Sequence, residues 1–345
     1  MTKRGIIIAN TGSPDAPTPA AVRAYLAEFL TDEHIMPMNP VVWKFLLHAC
    51  ILPARSKKSA AKYSLIWTEA GSPLTVTMGS LARKLEAALH AQNCDVMVRP
   101  AASYGTPSLE DALSVCVDAG CDEFVVVPLY PQSAYSTTSV VEDRARAAGS
   151  ALHAPSLRFI PPYYRNPLYT EALVRAIRAA GFGEQEDDRL LFAFHSIPRC
   201  DLDAGDTYDR QVEETVHAIV DELGLADDEW ALGFQCRFDK RRTWLDPFVS
   251  DALAALETKG PIGRLFVVAP NFSIDCLETL YDIEIELRER FCGGTADNAD
   301  TGGTVDTADA DRANQTREFM YIPCLSDSDD QVALLCDEIT TALNS

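Results

Sequence analysis

His195 stands at the end of the run LLFAFH, 190–195, and is followed by Ser-Ile-Pro and then a Gly-Asp turn at 205–206. A chain with six histidines has placed one at the tip of its most apolar segment. An imidazole there is either a satisfied core residue or a proton acceptor facing a cavity. A second segment favours the acceptor. After RLFVVAPNF come Asp275, Cys276 and then Glu278, Asp282 and Glu286 spaced four apart, with Leu280, Ile283 and Leu287 supplying apolar residues at helical spacing. The spacing predicts a helix with three carboxylates along one face, where mutual repulsion opposes full ionisation unless solvent, a cation or shared protons intervene. A solvated face is the ordinary fate of such acids. Glu278, however, falls in the first turn, which opens toward the same edge as His195. An imidazole and a carboxylate facing one cavity can take protons from a ligand, and the acids beyond them can lead protons or a divalent cation to solvent. There is no phosphate-binding loop, no GxGxxG after the first apolar run and no GxSxG elbow, so nucleotide-driven and serine-hydrolase chemistry lack support and no nucleotide is expected.

These residues need elements to hold them. Short apolar runs alternate with helical patterns: GIIIAN and PAAVRAYLAEFL, DEFVVVPLYP and SVVEDRARAA, LLFAFH and RQVEETVHAIVDEL, RLFVVAPNF and DCLETLYDIEIELRERF. Runs without polar alternation suggest strands covered on both faces, and long crossovers imply parallel pairing, which defines an α/β protein with doubly wound sheets. His195 then lies at the carboxyl end of a strand, where such sheets collect ligands. The pattern restarts after PSLRFIPPYYRNP, so two domains of similar build are expected, 1–160 and 161–325, with a closing helix in 326–345 packing back on the first. Segment 292–316, mostly Gly, Ala, Thr, Asp and Asn, cannot offset its own ordering entropy and is expected to be a disordered acidic insertion. The stretch 36–56, MPMNPVVWKFLLHACILPARS, is too short to cross a bilayer; it fits an ordinary buried helix or an apolar lip over a pocket equally well.

Composition narrows the partners. A net charge of −21 over 345 residues argues against nucleic acid, which demands a basic stripe, and against adhesion to anionic lipid by charge alone. Any membrane contact must be hydrophobic and local. The start, MTKRGIIIAN, is too short in its apolar part for an export signal, so a reducing cytoplasmic compartment is expected; the ten cysteines, with no CxxC, read as thiols or metal ligands.

His195-Ser196-Ile197-Pro198, Gly205-Asp206-Thr207-Tyr208 with Gln211, and Asp275-Cys276-Leu277-Glu278-Thr279-Leu280 together resemble the ferrochelatase family. NTGSPDAPTPAAVRAYLAEFL, IWTEAGSPL, SYGTPSLEDAL, LYPQSAYSTT, FQCRF with the later WLDPF, and YIPCLSDS extend the likeness in the family's order over nearly the whole chain. The resemblance implies two α/β domains of the chelatase fold, each with a four-stranded parallel sheet, and a porphyrin cleft between them. It implies insertion of ferrous iron, as substrate, into protoporphyrin IX at the terminal step of haem synthesis, with peripheral membrane contact at the apolar lip. In that reading His195 accepts pyrrole protons, Glu278 shares that work or handles the incoming metal, and Asp282 and Glu286 continue the proton or metal path. Thr11 approaches the opposite face of the ring, Tyr104 and Tyr130 match cleft-lining positions, and Arg237 is suited to a propionate or to an internal ion pair. The blocks around 13–30 and 51–74 are similar to the bacterial protoporphyrin branch. Ala193, Asn271 and a lengthened 239–243 loop depart from the family pattern. Ala134 stands at the position of an internal cluster ligand and Cys200, Cys236, Cys276, Cys292 and Cys324 have no cluster spacing, so no iron–sulfur cluster is expected. The alternatives are a coproporphyrin enzyme, a related chelatase loading cobalt or nickel into another tetrapyrrole, and a tetrapyrrole carrier without turnover, which retention of both His195 and Glu278 argues against.

Overall fold

A computed structural model describes residues 3–35, 40–154, 157–237, 239, 241–293 and 317–344. The apolar runs form strands in two sheets. The first contains β1 (Arg4–Asn10), β2 (Val96–Ala102), β3 (Glu123–Pro128) and β4 (Leu157–Phe159) in the order β2-β1-β3-β4. The second contains β5 (Asp188–His195), β6 (Trp230–Gln235), β7 (Arg264–Val268) and β8 (Glu318–Ile322) in the order β6-β5-β7-β8. All neighbouring strands run parallel. Adding four to each strand number converts one order into the other, so the second sheet repeats the topology of the first.

The absence of polar alternation has a direct cause: successive side chains of a strand enter different cores. Ile6 and Ile8 of β1 and Leu190, Phe192 and Phe194 of β5 point into one shared core. Ile7 and Ala9 face a separate core on the outside of the first sheet, and Leu191 and Ala193 face another outside the second. Helices Pro73–Ala91, Pro167–Ala179, Tyr208–Leu223 and Asp329–Asn344 fill the shared core with Leu85, Ile177, Ile219 and Ile339, all fully buried. Each such side chain contributes about 2 kcal/mol of burial. The inner faces of both sheets therefore hold together as one body.

The last helix touches both sheets' surroundings. Just before it, the Asp327 carboxylate accepts from Ser80 Oγ at 2.6 Å and from Lys84 Nζ at 3.0 Å, bonds that keep its pKa below the usual carboxylate value. Arg158 donates to the Ala342 carbonyl at 3.0 Å, and Asn166 donates to Asp337 and Glu338.

The lip begins with helix Pro40–Leu46, widens through a π-helical turn at Leu47–Ile51 and continues as helix Leu52–Ile66. Trp43, Leu47 and Leu52 are buried, whereas Val42 is 61% and Phe45 77% exposed. One face of this segment packs and the other leaves large apolar groups in water. Residues 36–39 of the lip and 294–316 of the expected insertion lie outside the described residues. Among the described residues no helix is long and apolar enough to cross a membrane.

Candidate active site

In each sheet the strand order reverses at one place, between β1 and β3 and between β5 and β7, the position where doubly wound sheets form ligand crevices beyond the carboxyl ends. The sequence places a chemical group on each side of both crevices: Thr11 follows β1, Tyr130 follows β3, His195 closes β5 and Glu278 follows β7.

His195 Nδ1 lies 2.8 Å from the Ser196 carbonyl oxygen. A carbonyl only accepts, so Nδ1 carries a proton, and in the neutral ring the lone pair is on Nε2. The backbone beneath is clamped from two sides, with Tyr208 Oη donating to the His195 carbonyl at 2.9 Å and Ser196 N donating to the Gln235 carbonyl at 2.9 Å. The Gly-Asp-Thr-Tyr motif sets that clamp. Asp206 accepts from Tyr208 N at 2.9 Å and, across to the first half of the chain, from Tyr135 N at 2.8 Å. Gln211 bonds Ser133 through both its amide oxygen, 2.9 Å to the backbone N–H, and its nitrogen, 2.8 Å to the hydroxyl. These bonds stitch the helix behind His195 to the loop after Tyr130.

Glu278 opens a helical segment, Glu278–Leu287, that winds as a π-helix where the spacing predicts an α-helix. The wider turn carries more than 3.6 residues, so side chains four apart fall closer to one line. Thr279, Ile283 and Leu287 are buried, the last two with Ala193, and the half-buried Glu278, Asp282 and Glu286 form the stripe beside them. Ala193 thus packs beneath this helix. Asp282 is tied to the His195 edge: Gln235 pairs with His195 across β5 and β6, and the next residue, Cys236, holds its Sγ 3.6 Å from Asp282 Oδ2. Burial, reinforced by Asp282 and Glu278, pushes the Cys236 thiol well up, so it stays protonated and donates. Burial likewise raises Asp282, with Lys62 opposing and Glu278 adding to the rise.

On the other crevice, Thr11 Oγ1 and Tyr130 Oη are 2.6 Å apart. The turn after Thr11 requires Gly12: its φ is +103°, and a Cβ there would lie 2.0 Å from the Tyr104 carbonyl oxygen. Burial raises Tyr130, and burial together with the Glu278 charge raises Tyr25 and Tyr63 well above the usual phenol value. These hydroxyls remain neutral and serve as fixed dipoles. Tyr104 is 1% exposed, edge-on to Phe29 at 5.1 Å with the Arg144 guanidinium 4.3 Å over its ring. Arg237 is exposed, its guanidinium 4.3 Å over the Phe248 ring.

Sequence reasoning missed Tyr25, Lys62, Tyr63 and Cys236. Lys62 Nζ stands 2.8 Å from Asp282 Oδ1 and 3.5 Å from Glu286 Oε2. Burial disfavours its charge, yet Asp282 and then Glu286 hold its pKa above the usual value. The one available signal was the 55–62 spacing, which sets Arg55 and Lys62 two turns apart on one face of the lip helix. Among the described residues no three His, Cys, Asp or Glu side chains converge into a ready-made metal site.

Two four-stranded parallel sheets of matching doubly wound topology define a protein of the chelatase fold. SirB from Bacillus subtilis with Fe3+ superposes with a TM-score of 0.55 over 100% of this chain and 97% of its own, at 11% identity. The sirohydrochlorin chelatase SirB from Bacillus subtilis subspecies spizizenii in complex with cobalt gives 0.52 over 100% and 97%, at 14% identity. These likenesses establish the fold; the sequence goes further. The family model for ferrochelatase matches residues 3–343. Ferrochelatase from Azoarcus sp. (strain BH72) is 40% identical over 334 residues, 96% of this chain and 86% of that protein, and ferrochelatase from Enterobacter sp. (strain 638) is 38% identical over 342 residues, 99% of each. The chain belongs to the ferrochelatase family, lyases that insert ferrous iron, their substrate, into a porphyrin.

Proposed function

We propose that this enzyme loads ferrous iron into protoporphyrin IX, with His195 Nε2 as the acceptor of pyrrole protons and Glu278 as the carboxylate that receives them or meets the metal. The observation that supports it most is the commitment of His195 Nδ1 to the Ser196 carbonyl, which makes Nε2 the ring nitrogen left to exchange a proton at the β5–β7 edge. Insertion exchanges one Fe2+ for two ring N–H protons, so a base and an exit are both needed. Asp282 and Glu286 provide the proton or metal path, and the Thr11–Tyr130 pair faces the ring from the first half of the chain. We assign Arg237 to a propionate. We divide the chain near residue 160, with the porphyrin held between the halves.

Anaerobic incubation with ferrous iron and protoporphyrin, with coproporphyrin and with cobalt or nickel in parallel, tests this by the absorbance change on insertion. Fastest turnover with iron and protoporphyrin is expected. Tight porphyrin binding with no turnover would overturn the reading in favour of a carrier.

The lip supplies the membrane side of the proposal. Val42, Lys44 and Phe45 are exposed on the first helix of the segment, and Lys57 and Lys58 are exposed on the next, residues suited to shallow insertion by a cytoplasmic protein receiving an apolar ring. Phe45→Asp is expected to weaken sedimentation with anionic vesicles by roughly tenfold or more. Equal sedimentation of the variant and the parent protein would remove the lip from membrane contact.

A further inference from the structure

The loop that leads from β7 to Glu278 is held by the hydroxyls of three tyrosines from outside it. Tyr169 Oη donates to the Pro270 carbonyl, Tyr163 Oη pairs with Ser273 Oγ at 2.8 Å, and Tyr321 Oη donates to Asp275 Oδ1 at 2.5 Å. The first two bonds fix the loop well before Glu278. The third reaches the residues around it. Asp275 Oδ1 also accepts from Thr279 Oγ1 at 3.0 Å and from Cys324 N at 3.4 Å, and Thr279 Oγ1 in turn accepts from Cys276 N at 2.9 Å. Asp275 and Thr279 stand on either side of Glu278 in the chain, and Thr279 is fully buried. Leu277 opens the segment without a side-chain cap, so the Asp275–Thr279 bridge takes over the fixing of that first turn.

We propose that Tyr321 is a positioning residue for metal insertion, setting through Asp275 and Thr279 the direction in which Glu278 meets its proton or metal. The proposal rests on the assignment of Glu278 to the reaction. Tyr321 suits the role because both of its ends are anchored. Its ring, on β8, packs against the outer core that buries Ile283 and Leu287 beneath the acidic segment. Burial holds its phenol well above the usual pKa, so the hydroxyl keeps a proton to donate. A hydroxyl donating to a carboxylate forms a short, strong bond, and this one ties the Glu278 turn to the neighbouring strand. No covalent bond changes.

The test is a double-mutant cycle on kcat/KM for ferrous iron, measured on the full-length enzyme with saturating protoporphyrin. Tyr321→Phe keeps the ring and removes the hydroxyl. It is expected to lower kcat/KM by about tenfold, within the range that a small misplacement of a reacting group costs. Porphyrin fluorescence quenching at the parent affinity shows that the variant is folded. In the Glu278→Gln background the same change is expected to cost less than about twofold, because a residue that acts through Glu278 has nothing left to position there. An equal loss in both backgrounds would reveal a general loosening of the fold and overturn the proposal, as would a parent-like kcat/KM for Tyr321→Phe. If Glu278→Gln by itself keeps the parent kcat and KM, the Glu278 assignment fails and the proposal falls with it.

Discussion

Replacement of His195 by Ala is expected to lower the rate constant of iron insertion by about 10²–10⁴-fold, the usual span for loss of a positioned general base. Porphyrin affinity should change far less, since an apolar macrocycle is held by the walls of the cleft. The geometry makes the case for a rate effect. Nδ1 is already committed to the Ser196 carbonyl, so the ring has one lone pair to give and a fixed direction for it. The Tyr208 and Gln235 contacts hold the backbone of 195–196 in place without the imidazole, so the fold should tolerate the change. Single-turnover insertion measured beside porphyrin fluorescence quenching separates the two quantities. A variant retaining more than a tenth of the parent rate, with unchanged binding, would show that the protons leave by another group.

Glu278→Gln is the second large effect, with an expected loss of about 10²-fold in kcat from an isosteric change that removes only charge. The Glu278 charge reaches Tyr25, Tyr63, Tyr130, Cys236, Cys276 and Asp282, all neutral donors or groups pushed toward neutrality by burial and by that charge. In the proposed reaction, a carboxylate beside these hydroxyls and thiols is the group assigned to receive a proton or meet the metal. The split between kcat and KM for iron identifies which. A fall in kcat at unchanged KM assigns Glu278 to proton handling, and a rise in KM at nearly unchanged kcat assigns it to the metal. Parent values in both would remove it from the reaction.

The largest site features were legible because they are local. An apolar run ending in histidine is a strand tip whatever surrounds it, and in a parallel sheet strand tips share an edge. The Gly-Asp-Thr-Tyr motif was visible as a motif, but its work was not: Asp206 and Gln211 bond Tyr135 and Ser133, 71 and 78 residues away. Tyr104 and Tyr130 look alike as residues near strand ends. Packing separates them, burying Tyr104 behind Phe29 and Arg144 and leaving Tyr130 against Thr11.

The sequence by itself determined the strand and helix periods, the parallel α/β class and the edge on which His195 and Glu278 must stand, because side-chain spacing along a chain reports directly on which faces are buried. Only the tertiary structure decided the π-helical winding of the acidic segment and the arrival of Lys62, Tyr63 and Cys236 around it. Those outcomes depend on how the lip helix and the β6 edge close over the 278–287 segment, and contacts between elements that far apart in the chain leave no periodic trace in either one.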